Sequence, residues 1–337
     1  MKVRCGFVAL ILFALVPGSS SYHLIQHIAP DGRVLELAWG NQSFPVDYFL
    51  NSTRPLDFSL DAAEQALDQS FQIWQDVETA DITFELAGRT SAEPFTFFDD
   101  QSTFGFTSDP DLASPGVLAA TLQVINIFNA EIVEADVFFS NSFIWSVEPN
   151  GEAETFDFIS VAAHEIGHFV GLDHSHVGFM ESLGNGRRKL IDGAAIMFPF
   201  SFGPGRILGR TLASDDIAGI SLLYPSQSFT QSTGSISGKI RKGVQGVAYA
   251  HVVSFNPFSG KTIGAFTDEN GEYEIRGLES GPHTVRVNPI MDPASPPDFG
   301  FPEFLTDVDF RDALFSARPV HVTAPTAIRG IDIEVHP

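Results

Sequence analysis

Cysteine is all but missing from this chain. The single one in 337 residues, Cys5, lies ahead of an N-terminal apolar run. A mature protein without that region has no thiol for a disulfide or for closing a structural zinc site. Positive charge is scarce as well: 19 Lys and Arg stand against 42 Asp and Glu, for a net charge of -23. Such a chain lacks the basic face that neutralises phosphates, which excludes nucleic acid as a partner. The carboxylates are scattered, as on an ordinary solvated surface. No apolar run is long enough to cross a bilayer, so no membrane span is expected. The longest, Phe7 to Val16, follows Lys2 and Arg4 and precedes Pro17-Gly18-Ser19-Ser20-Ser21. That order reads as an export signal over residues 1–21. Export without disulfides favours a secreted or extracellular protein in a bacterial setting.

What is present falls into two kinds of pattern. After an N-terminal segment at 22–40, Phe44 to Leu50 alternates like a strand. Leu60, Ala63, Leu67, Phe71, Trp74 and Val77 then recur at helical spacing behind a Ser59 cap, and Ile82 to Leu86 reads as a strand again. Strand, helix, strand suggests a crossover unit in a mostly parallel sheet. Residues 87–115 look like a long surface loop, Gly116 to Asn126 and Val133 to Phe139 like strands. Helices are expected from about Phe156 to Gly171 and, capped by Ser214, from Ser214 to Leu223. Residues 226–235, rich in Ser, Thr and Gln, read as a linker. From 236 to 337, runs at Ile236–Ile240, Ala250–Phe255, Thr262–Thr267, Tyr273–Arg276, Thr284–Val287, Val320–Val322 and Ile331–Val335 alternate with turn residues, the signature of an all-β sandwich. The fold class is therefore α+β, with a small β-sandwich behind a domain at 41–225.

The chemistry is concentrated in His164-Glu165-Ile166-Gly167-His168-Phe169-Val170-Gly171-Leu172-Asp173-His174. Residues four apart share a helix face, so His164 and His168 can present two imidazoles to one Zn²⁺. Gly171 lets the helix stop and the chain turn back, bringing His174 to the third position. Three neutral ligands leave one place open, where the metal polarises a water and Glu165 takes its proton. A closed structural zinc site would need a fourth ligand, usually cysteine.

These residues resemble the zinc motif of the metzincins, and Gly171-Leu172-Asp173-His174-Ser175 is similar to that of the matrixin branch. Ile196-Met197-Phe198-Pro199 resembles the family's Met-turn, with Met197 preferred over Met180. Asp215-Asp216-Ile217-Ala218-Gly219-Ile220 followed by Leu223-Tyr224 resembles its terminal helix, whose aspartates tie back to that turn. Gly116-Val117-Leu118-Ala119-Ala120 resembles the edge strand that binds extended substrate. The resemblance covers roughly Asn41 to Tyr224. It implies a metzincin-type catalytic domain and a secreted zinc metalloendopeptidase with Glu165 as catalytic base. It further implies one catalytic zinc on His164, His168 and His174, and substrate contacts at Leu118, Ala119 and Pro199.

Departures from the family pattern are equally definite. No cysteine is available for latency, so either 22–40 blocks the cleft or the enzyme folds active. The two histidines of the animal enzymes' second zinc have Ala120 and Asp136 in their places. Calcium is a second candidate cofactor, with Asp99, Asp100, Asp109, Asp111, Glu134 and Asp136 as candidate ligands. An insertion at 175–195 is expected near the cleft. The C-terminal part resembles the carboxypeptidase regulatory-like β-sandwich, which implies a domain that binds a surface or matrix component. The rival to a protease acting on protein or peptide substrates is a secreted binding protein with a degenerate zinc domain, and Glu165 discriminates the two.

Overall fold

A computed structural model of the protein describes residues 8–11, 24–53, 57–113, 115–184, 187–291 and 294–337. Of the expected export signal only strand β1 (Val8–Ile11) falls among them, and the expected cleavage region lies outside the described residues. A hairpin of β2 (Gln26–Ile28) and β3 (Val34–Glu36) leads into β4 (Ala38–Trp39). The expected crossover follows as β5 (Val46–Asn51), α1 (Leu60–Gln75) and β6 (Phe84–Thr90), with β5 and β6 parallel. Ser59 caps α1 by accepting from Ala62 N at 3.2 Å.

The stretch read as a long loop holds a buried strand, β7 (Thr103–Thr107), lying parallel between β5 and β9 (Glu131–Ser140). Preceding β9 is β8 (Ala119–Asn126), its antiparallel partner. The sheet runs β1-β8-β9-β7-β5-β6, with β4 also beside β9. β1 pairs antiparallel with β8 at Gln123–Asn126.

A two-strand pairing of β10 (Trp145–Ser146) with β11 (Phe156–Asp157) delivers the chain to α2 (Phe158–Phe169), which packs on α1. Trp74 Nε1 donates to the Ala163 carbonyl at 2.8 Å, fixing one helix against the other. Between helix and sheet sits an aromatic core in which Tyr48 stacks on Phe71 at 3.8 Å and Phe169 meets Phe104 at 5.4 Å. The insertion forms a hairpin of β12 (Gly178–Gly184) and β13 (Arg187–Gly193). Helix α3 (Ser214–Leu223) starts where expected, but Ser214 is not its cap. Ala213 holds that position, and the Asp216 carboxylate reaches back to Ala213 N at 2.8 Å.

The segment read as a linker is folded. Ser226 caps α4 (Gln227–Ser232), Phe229 is buried, and the chain passes directly into β14 (Thr233–Lys242). One Phe among polar residues leaves no apolar period to see. Then follow β15 (Gln245–Gly246), β16 (His251–Phe255), β17 (Thr262–Phe266), β18 (Glu272–Glu279) and β19 (Gly281–Asn288), with short β20 (Ala313–Leu314), β21 (Val320–Val322), β22 (Ala327–Ile328) and β23 (Ile333–Glu334). One sheet orders β15-β14-β18 with β22 and β23 along β14. The other orders β17-β16-β19-β20 with β21 along β19. Ile236, Ile240, Val252, Ile275, Val285 and Val287 fill the space between them. The α+β class holds: a mixed, largely parallel sheet with helices, then mostly antiparallel sheets. No helix among the described residues is long and apolar enough to cross a membrane.

Candidate active site

Helix α2 carries the first two histidines because its N-terminus is anchored and its C-terminus is forced to stop. Asp157 caps it, accepting from Ser160 N at 2.9 Å, and Arg210 Nε donates to the same carboxylate at 2.9 Å. At the other end Gly171 has φ +104, and a Cβ there would lie 2.2 Å from the Leu37 carbonyl oxygen. Only glycine fits, and the chain doubles back. His174 thereby faces His164 and His168, and the three offer ligand atoms that all lie within 4.8 Å of one another.

Each ring is oriented by a main-chain carbonyl. His164 Nδ1 bonds Ile196 O at 2.8 Å, His168 Nδ1 bonds Leu172 O at 2.9 Å, and His174 Nδ1 bonds Asp298 O at 2.5 Å. A carbonyl oxygen only accepts, so each Nδ1 carries the hydrogen and each Nε2 presents a lone pair. His168 Nε2 and His174 Nε2 lie 3.2 Å apart, close enough to share one cation. Burial, reinforced by the neighbouring imidazoles, pushes His164 down to about 3 and His168 well below its ordinary range, so both are neutral ligands at neutral pH. The donor set fits zinc: borderline-soft nitrogens on three ligands, with their outer nitrogens tied to oxygen. Among the described residues no other such cluster of three metal-binding side chains occurs.

Glu165 is almost fully buried beside them. Thr121 Oγ1, on β8, donates to its Oε2 at 2.7 Å, and burial pushes the carboxyl up to about 7. The sequence reading missed Thr121; its only signal was a place two residues beyond Ala119 on the same strand face. Met197 is fully buried, and a Cβ on Gly167 would lie 2.1 Å from its Sδ, so glycine in α2 is what lets that turn close beneath the helix. Asp216 fixes the turn by accepting from Ile196 N at 2.8 Å and Met197 N at 3.2 Å. Asp215 does not tie to it. Its carboxylate takes the Ser175 hydroxyl and, at 2.8 Å, Gly264 N from β17. Met180 sits half-buried in β12, apart from the histidines.

A cleft of about 360 Å³ opens in front of the histidines. Leu118 and Ala119 line one side within 116–121, and Pro199 lines the other within 199–203, with Arg206 beyond. The hairpin of β12 and β13 does not line it. Its Asp192 pairs with Arg206 of the cleft wall at 2.8 Å, and its Arg188 pairs with Asp312 of the sandwich at 2.9 Å. Nor do the described residues of the N-terminal segment line the cleft. Leu24 bridges to Leu172, and Ile25 N donates to Gly171 O at 3.0 Å, behind the end of α2.

Among the calcium candidates, Glu134 and Asp136 already have their oxygens engaged by the loop before β7. Glu134 accepts from Phe98 N at 2.7 Å and Asp100 N at 3.1 Å. Asp136 accepts from Phe95 N at 2.6 Å and Thr103 N at 2.7 Å. Asp99 and Asp109 accept from Gln101 N and Asp111 N within their own turns.

Residues 38–185 match the family model described as Matrixin. Over that stretch the chain is similar to the matrixins. Among curated proteins it is similar to the interstitial collagenase of Bos taurus, 27% identical over 237 residues, which are 68% of this chain and 39% of that protein. The Oryctolagus cuniculus interstitial collagenase is 24% identical over 242 residues, 70% of this chain and 40% of its own length. Matrix metalloproteinase-C of Caenorhabditis elegans is 29% identical over 196 residues, covering 54% of this chain and 28% of that protein. The chain thus spans about two fifths of the collagenases it matches. The matrixin match stops at 185, ahead of Met197 and Asp216, but Ile196, Met197, Ile220 and Tyr224 pack in the same apolar core as α1 and α2.

Proposed function

We propose that the protein is a secreted zinc-dependent endopeptidase whose catalytic base is Glu165. The observation that carries this reading is the convergence of three lone-pair nitrogens with a buried carboxyl, at the floor of a cleft bordered by strand β8. His164, His168 and His174 would hold zinc, which would supply Lewis acidity towards the scissile carbonyl and the attacking water. Glu165, whose carboxyl burial pushes up to about 7, takes the proton of that water as the new C–O bond forms and returns it to the leaving nitrogen as the C–N bond breaks. Thr121 keeps one carboxylate oxygen engaged, so that Oε1 is the one left to handle the proton. Residues 118–121 offer main-chain groups along the cleft, which suits an extended peptide pairing as an added strand. Leu118 and Ala119 would hold that peptide, and the wall at Pro199 would receive an apolar side chain after the cut. An open cleft accepts a chain in its middle, which favours endopeptidase over exopeptidase action. Residues 1–21 as export signal and the β-sandwich as a module for a surface or matrix component belong to the same proposal. Glu134 and Asp136 hold the 95–103 loop through main-chain N–H groups, and calcium takes no part in the proposed chemistry.

The rival, a binding protein with a degenerate site, has to explain an intact base and three intact ligands. A proteome-derived peptide library separates the two. Wild type should cleave within peptides and stop on addition of a zinc chelator, and Glu165→Ala should lose about 10²–10⁴-fold in rate while keeping its zinc. Equal cleavage by both proteins, or cleavage indifferent to the chelator, sinks the mechanism.

A further inference from the structure

Two of the three histidine acceptors, Ile196 and Leu172, lie within the matrixin-like half of the chain. The third does not. His174 Nδ1 donates to the main-chain oxygen of Asp298, which stands in the connection after β19 of the C-terminal sandwich. That oxygen is held by a turn with little freedom. Pro296 and Pro297 open a 3-10 turn over Pro296–Phe299, and the Asp298 carboxylate accepts from both Ser295 N and Ser295 Oγ at 2.7 Å. Gly300 closes the turn at φ +71. Phe299, fully buried, meets the His176 ring edge-on at 5.2 Å.

The same side of the site is gripped at several other points. Phe299 shares one apolar cluster with Phe198, the neighbour of Met197, and with Leu190 of β13. His176 Nδ1 lies 3.3 Å from His251 Nδ1 of β16. Ser175 and Gly264 meet on the Asp215 carboxylate. The residues that follow the third histidine are therefore held against the sandwich, Ser175 through Asp215 and His176 directly.

We propose that the C-terminal β-sandwich is a working part of the metal site. The turn at 295–300 positions His174, so the third ligand is correctly posed only when the sandwich is docked. This rests on the zinc reading above. An imidazole without an acceptor at Nδ1 is free to rotate or to change tautomer, which would carry its lone pair away from the other two. Asp298 acts through His174 and is a positioning residue. Its side chain matters because it fixes the turn that presents its own carbonyl.

The test compares full-length wild type with Asp298→Ala, which loses both cap bonds, and Ser295→Ala, which loses the hydroxyl bond alone. Asp332→Ala is the control, removing an acceptor for Lys239 N in the other sheet of the sandwich. Zinc affinity is read by competition with a chromophoric chelator, and the three Nδ1–H protons are followed by NMR. Asp298→Ala should bind zinc about 10- to 100-fold more weakly, with Ser295→Ala between it and wild type and Asp332→Ala unchanged. The His174 Nδ1–H should exchange fast in Asp298→Ala while those of His164 and His168 stay protected. Wild-type affinity in Asp298→Ala, an equal loss in Asp332→Ala, or loss of protection at all three rings overturns the proposal. A wild type that takes up no zinc overturns the zinc reading itself, and this result is separate from the others. Ser295→Ala, the milder change, decides the case should Asp298→Ala fail to fold.

Discussion

Asp136 accepts two main-chain N–H bonds inside the protein, yet burial outweighs them and pushes its carboxyl up from 3.8 to about 7. The folded state therefore binds this proton more tightly than the unfolded chain does. Its contribution to stability is complete below about pH 4 and is lost as pH rises towards 7. Asp136→Asn cannot titrate, so urea unfolding should show the variant gaining on wild type as pH is raised across that window. A difference that stays flat with pH refutes the assignment. At this scale the site was legible where spacing is local: His164, His168, His174 and Glu165 sit within eleven residues, and one helix and one glycine turn convert that spacing into geometry. Thr121 and Asp298 were not. A strand hydroxyl and a peptide carbonyl are unremarkable in a sequence until the fold brings them to a carboxylate and an imidazole.

Helix α3 is the element that locks the site from behind. The Asp216 carboxylate takes N–H bonds from Ile196, Met197 and Ala213, satisfying the turn under the histidines and the start of its own helix together. Asp216→Ala should leave those buried donors without partners and lower the unfolding free energy by about 3 kcal/mol or more, read by urea denaturation. A loss under about 1 kcal/mol would mean that water replaces the carboxylate there. Periodicity exposed α1, α2, α3 and the principal strands because each carries an apolar stripe longer than a turn. Strand β7 escaped notice because five residues, Thr-Phe-Gly-Phe-Thr, are too few to show a period within a stretch of Asp, Ser and Gly. Helix α4 escaped because its tertiary packing rests on Phe229.

For the molecule as a whole, the two halves are joined by buried apolar contacts and not by a tether. Leu190 and Phe198 from one side pack with Tyr249, Phe266, Phe299 and Phe301 from the other, while Arg188–Asp312 and Glu36–Arg276 pair across the boundary. Scanning calorimetry should accordingly show one cooperative transition, with calorimetric and van't Hoff enthalpies in agreement. Two resolved transitions would show that the halves fold independently. The composition could not reveal this, because residues 226–235 look like a spacer and only the fold shows them packed. There is also a genetic consequence. The acceptors at 172, 196 and 298 are peptide oxygens, so no codon change at those positions deletes one directly, and only at 298 does the residue's own side chain also hold the turn that presents the oxygen. Inactivating lesions of this kind should fall on the residues that hold those backbones in place, such as Gly171, Asp216 and Asp298.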